Sequence, residues 1–151
     1  MSKLMLATSF LVFCGSCSRG FEIDPSGFGT NIRLAFPEGG LLSSPMVPCV
    51  TRLTVAQEQW PSVSRESPVW QIQASAGCVK LTGVDVGRIP DGFVQTINRL
   101  PLKVGGLYRA GAEAKPYQGM SRPWFVCREA PEKARWENDQ RLAAPPATCG
   151  R

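Results

Sequence analysis

The sequence contains no histidine. That removes the commonest general base near neutral pH and the commonest nitrogen ligand of zinc, so an enzyme built on this chain would work through carboxylates or lysine. It also lacks an apolar run long enough to cross a bilayer. The longest, Leu4–Phe13 (LMLATSFLVF), has ten residues, about half of the ~20 that a spanning helix needs. Clustered positive charge is missing too. The chain carries 17 basic and 12 acidic residues, but Arg33, Arg52, Arg65, Arg88, Arg99, Arg109 and Arg122 stand far apart, with acids between most of them. Binding to a phosphate backbone sums contacts along a contiguous strip, so no nucleic acid is expected as a partner. Gly-x-Ser-x-Gly, Walker and calcium-loop patterns are absent. No cofactor and no metal is expected.

What is present begins at the N-terminus. Met1-Ser2-Lys3 supplies one positive charge, the ten-residue apolar run follows, and small residues come next at Gly15 and Ser16. This is the build of a bacterial secretory signal, residues 1–16. The stretch Cys14-Gly15-Ser16-Cys17 resembles a lipobox, in which cleavage exposes a cysteine that receives a diacylglyceryl group. Cys17 then becomes the first mature residue and partners membrane lipid through its acyl chains. Cys14 is the alternative, although it places bulky Phe13 beside the cut. Because acyl chains contribute about 0.8 kcal/mol per buried CH₂, several on one residue fix a soluble domain to a membrane. Ser18 after the anchor resembles outer-membrane sorting in Gram-negative bacteria. Cleavage without lipid, giving a soluble periplasmic or secreted protein, is the alternative localisation. A redox Cys-x-x-Cys would need a βαβ setting that Arg19–Thr30 does not supply.

Four further cysteines remain: Cys49, Cys78, Cys127 and Cys149. An even set in an exported chain reads as disulfides, with three connectivities open. The pairing that joins neighbouring segments is Cys49–Cys78 with Cys127–Cys149.

Along the mature chain, residues 17–30 read as a lipidated N-terminus and tether. A β-sandwich domain is expected over 31–128, and an extension tied by a disulfide over 129–151. Asn31–Phe36 alternates as a strand. Val47–Gln57 sets Cys49, Thr51, Leu53 and Val55 on one face against Val50, Arg52, Thr54 and Ala56. Pro68–Ser75 points Trp70, Ile72 and Ala74 inward. In Cys78–Gly87 the apolar parity slips at Gly83, which suggests a β-bulge. Phe93, Gln95 and Ile97 form a short edge strand, Tyr108, Ala110, Ala112 and Ala114 share a face, and Trp124–Arg128 is a last core strand. Pro131–Ala144 is the one helical segment expected: proline in the first turn, Glu137 four residues before Arg141, and Pro145-Pro146 as the stop. Short strands between Gly/Pro turns, without alternating helices, give a mainly β fold, an antiparallel β-sandwich.

Trp70 with Ile72, Gly87, Pro90 with Gly92-Phe93, Pro101-Leu102, Gly105-Gly106 with Tyr108, and Phe125-Val126 form an ordered set over about 40% of the chain. The set resembles a pattern in small uncharacterised lipoproteins of Gram-negative bacteria with an immunoglobulin-like or transthyretin-like β-sandwich domain. The resemblance implies that fold and an anchor, and no chemistry.

Among candidate sites, Asp24, Asp85, Asp91 and Asp139 could serve glycoside hydrolysis only if two were held at a fixed separation, and nothing in the sequence brings two together. Asp91 in Pro90-Asp91-Gly92 is a turn residue. Trp70 and Trp124 read as core. Trp60, before Pro61, and Trp136 are the candidates for an exposed contact surface. The functional expectation is a membrane-anchored lipoprotein of the bacterial envelope that binds an envelope protein or glycan without catalysis. Its alternatives are an accessory lipoprotein of a secretion or envelope assembly, an inhibitor of a hydrolase, and a histidine-free carboxylate hydrolase.

Overall fold

The structure, a computed structural model, describes residues 20–36, 47–60, 66–138 and 141–149. The expected signal, Cys14, Cys17 and Asp139 lie outside the described residues. Strands make up 54% of what is described, and these residues contain no α-helix. In chain order the first seven strands are β1 (Phe21–Glu22), β2 (Asp24–Phe28), β3 (Asn31–Ala35), β4 (Cys49–Glu58), β5 (Ser67–Ala74), β6 (Val79–Lys80) and β7 (Gly83–Asp85). The others are β8 (Phe93–Asn98), β9 (Leu107–Lys115), β10 (Gly119–Met120), β11 (Trp124–Phe125), β12 (Glu132–Lys133), β13 (Trp136–Asn138) and β14 (Arg141–Leu142).

The large sheet has the order β1-β10-β9-β4-β5-β8, with β6 beside β4 and with β11 linking β9 to β12. The small sheet is β2-β3-β7. Pairing is antiparallel except for β1 on β10. Ile32, Leu34 and Val84 of the small sheet share one buried core with Val50, Leu53, Val55, Trp70, Ile72, Tyr108, Ala110, Ala112 and Trp124 of the large one. Trp70, Ile72, Tyr108, Ala110 and Ala112 are buried, as their alternation requires. The strand that holds Phe93, Gln95 and Ile97 ends the large sheet.

Four expectations are corrected. Val50, not Thr51, joins Leu53 and Val55 in the core. Against β9 the register jumps between Val50 and Arg52, so Thr51 is an extra residue. A bulge of this kind inverts the parity before it, and the Thr51 hydroxyl donates to the Glu113 carbonyl at 3.0 Å. The slip at Gly83 is a change of sheet instead of a bulge, because β6 pairs with β4 while β7 pairs with β3. A Cβ on Gly83 would lie 2.9 Å from the Leu34 carbonyl, so glycine lets the two strands approach. Residues 21–28, expected within a tether, are paired strands: β2 lies along β3, and β1 along β10.

The fourth correction concerns Pro131–Ala144. It forms β12, β13 and β14, and only one turn of 3₁₀ helix follows, at Ala147–Cys149. The segment has no apolar helical stripe, since Ala134 and Leu142 are its buried apolar residues and Trp136 and Asn138 are exposed. The Glu137–Arg141 pair does form, at 3.5 Å, but within a hairpin in which Trp136 faces Leu142.

This C-terminal flap lies on the outer face of the large sheet. There Leu107, Phe125, Cys127, Ala134, Leu142 and Cys149 make a second, smaller core. The disulfides clamp opposite ends of the β4/β9 pair. Cys49, bonded to Cys78, faces Lys115 at one end, and Cys127, bonded to Cys149, follows Phe125, which faces Leu107 at the other.

Candidate functional site

The flap end of the large sheet gathers most of the distinctive side chains. β11 pairs on one side with β9, Trp124 opposite Tyr108, and on the other with β12, Trp124 opposite Lys133. That pairing brings Arg122 beside the stretch Pro131–Trp136. Together they line an open cleft of about 650 Å³, within the usual range for small-ligand sites. Trp136 forms one wall and is half exposed.

Charge in the cleft is mixed. Lys133 reaches Asp24 at 2.6 Å and Glu22 at 3.2 Å, and the bond it donates to Asp24, helped by that to Glu22, holds its ammonium above the ordinary lysine range. Arg122 lies 3.5 Å from the same Glu22. Among the described residues Arg135 makes no ion pair. The cleft therefore offers a flat indole face, guanidinium donors and the Glu132 carboxylate, a set suited to a polar ligand with an apolar side.

Trp60 stands just beyond β4, also partly exposed. Its indole N–H donates to the Ala143 carbonyl of the flap at 3.1 Å. The two tryptophans singled out in the sequence thus both belong to the flap end, one tying the flap down and the other lining the cleft. Trp70 and Trp124 are fully buried.

A second constellation lies at the same end. The Glu58 side chain is completely buried, its Oε1 sits 2.7 Å from Arg109 Nε, and Arg109 Nη2 donates to its Oε2 at 3.5 Å. Arg109 also reaches Glu66 at 3.4 Å. Burial pushes the Glu58 carboxyl above its ordinary value; Arg109 opposes that rise and Glu66 adds to it. Two carboxylates around one guanidinium resemble an acid–base pair in composition, but Glu58 is closed off from solvent and meets no external substrate in this conformation. Burial likewise raises the Tyr108 hydroxyl, opposed by the bond from the Lys103 N–H at 2.9 Å.

Of the acids considered for hydrolysis, the three among the described residues are dispersed. Asp85 pairs with Arg33 and Arg88, and Asp24 with Lys133. Asp91 stands in the turn that Phe93 N–H closes onto Pro90 O at 3.1 Å. Cys127, Glu132 and Cys149 bring possible ligand atoms within 4.8 Å of one another, but both sulfurs are spent in the disulfide and Glu132 accepts from the Thr148 hydroxyl. As an oxidised pair they offer no thiolate to a metal.

Glu58, Glu66, Arg122, Lys133 and Arg135 carry no local sequence signal. Glu58 shares the parity of Thr54 and Ala56, on the face of β4 away from the main core, and the cleft exists only through the β11–β12 pairing. No protein-family model, curated protein or solved structure matches this chain.

Proposed function

We propose that this protein is an exported envelope domain of immunoglobulin-like or transthyretin-like sandwich type, anchored to the outer membrane by acylation of Cys17, which binds a glycan in the Trp136 cleft without catalysis. The observation that carries the reading is the cleft: an exposed indole wall beside mixed hydrogen-bonding charges, on a flap fastened by Cys127–Cys149. Two disulfides in a chain of this size fit an oxidising compartment. The signal-like N-terminus and the resemblance to small Gram-negative lipoproteins support the anchor.

Intact mass and N-terminal peptide analysis of membrane-extracted protein tests the anchor, with a thioether-linked diacylglyceryl group on Cys17 expected. Tryptophan fluorescence during titration with soluble cell-wall glycan fragments tests the ligand. A saturable change that disappears in W136A, with the fold retained, is the expected result. A titration that W136A leaves unaltered refutes the site.

A further inference from the structure

We propose that the turn Lys115–Gln118 is the surface that the anchored protein lays on phospholipid head groups, so that the flap is held toward the other end of the sheet. This rests on acylation of Cys17.

The leash is short. Only three peptide links separate Cys17 from Gly20, a reach of about 11 Å at full extension. From Gly20 onward the chain is fixed to the sheet. Phe21 N–H donates to Gln118 O and Ile23 N–H to Met120 O, each at 3.1 Å, and β1 runs in register along Gly119–Met120. A Cβ on Gly20 itself would lie 3.1 Å from Gln118 O. The first fixed residue therefore abuts the β9–β10 turn, and acyl chains buried in a membrane bring that turn to its surface.

The turn is chemically suited to the place. Tyr117 is 39% exposed, and Lys115 is exposed beside it. A phenol ring with a polar tip favours the head-group layer, and a lysine there is attracted to anionic lipid.

The remaining geometry follows from the strands. Lys115 faces Cys49 and Leu107 faces Glu58. The ten residues of β4 span about 30 Å at 3.3 Å each. Trp60 and the flap belong to the Glu58/Leu107 end, while Arg122 and Lys133 of the cleft meet Glu22 nearer the middle of the sheet. An anchor at the opposite end leaves the flap facing the compartment beyond the membrane.

Hydrogen exchange of the full lipidated protein in phosphatidylethanolamine/phosphatidylglycerol vesicles, compared with its C17S form in solution, tests this. The amides of Tyr117 and Gln118 are expected to slow several-fold in vesicles while those of Glu137 and Asn138 do not change. The K115E/Y117E variant, whose exposed sites leave the fold intact by circular dichroism, is expected to lose that protection while remaining acylated. Acylated protein without protection at the turn, or with protection at the flap, overturns the orientation alone. An N-terminal peptide without lipid overturns the anchor and the orientation with it.

Discussion

Replacing Arg109 with methionine (R109M) isolates the Glu58 ion pair. The substitution keeps the length of the stem and leaves a carboxylate with a fully buried side chain without its nearest cation. Breaking a buried pair by removing one partner costs about 3–5 kcal/mol. Arg109 is itself 21% exposed, so the expected loss lies at the low end, about 3 kcal/mol. For a domain of this size that lowers Tm by roughly 10 °C, at about 3 °C per kcal/mol. The cost has a definite pH dependence. Glu58 already has a folded-state pKa above the ordinary value of 4.5, so the folded state holds its proton more tightly than the unfolded one. Stability attributable to this group then falls as pH rises from the ordinary value through the raised one. Without Arg109 the opposing influence is gone, the folded value climbs further, and the falling window widens. The deficit of R109M is therefore smallest at acid pH and grows as pH rises through the raised folded-state value. Urea unfolding followed by tryptophan fluorescence across this range measures it, and the double variant E58L/R109M should recover most of the loss. A deficit equal at both ends of the range, or below about 1 kcal/mol at the alkaline end, refutes the assignment of a buried carboxylate that depends on Arg109.

Ser121 accepts from Ala110 N–H at 2.8 Å through its buried hydroxyl, so S121A strands a buried donor and should cost about 1–3 kcal/mol by denaturant titration. Each disulfide closes a loop, with separations of 29 and 22 residues. C49S/C78S and C127S/C149S should accordingly lose about 3.5 kcal/mol apiece on the chain-entropy estimate, and the second pair should also expose the flap to protease while the first does not. A Cβ at Gly119 would land in the Phe21 ring. G119A should therefore cost about 1–3 kcal/mol and speed hydrogen exchange at Phe21 and Ile23 before any change in β4.

Local sequence determined the β character of the chain and much of its inner face. Period-two alternation is a property of one strand and its two sides, so Trp70 with Ile72, and Tyr108 with Ala110 and Ala112, could be assigned inward without knowing their neighbours. The edge strand Phe93–Asn98 was legible for the same reason, bounded as it is by the Pro90–Gly92 turn. What alternation cannot specify is partner choice. The extra residue at Thr51 is defined only against β9, and the parity slip at Gly83 means a bulge or a change of sheet according to which strands lie alongside. In Pro131–Ala144 the proline and charge spacing satisfied helix rules, yet a burial site for Ala134 and Leu142 on the outer face of the sheet, with Cys149 bonded to Cys127, drew it into a hairpin. Tertiary structure alone buried Glu58 and assembled the Trp136 cleft, because both depend on residues far apart in sequence meeting across strands. Their burial and spacing are set by the packed sheet and flap, and no single stretch of the chain encodes them.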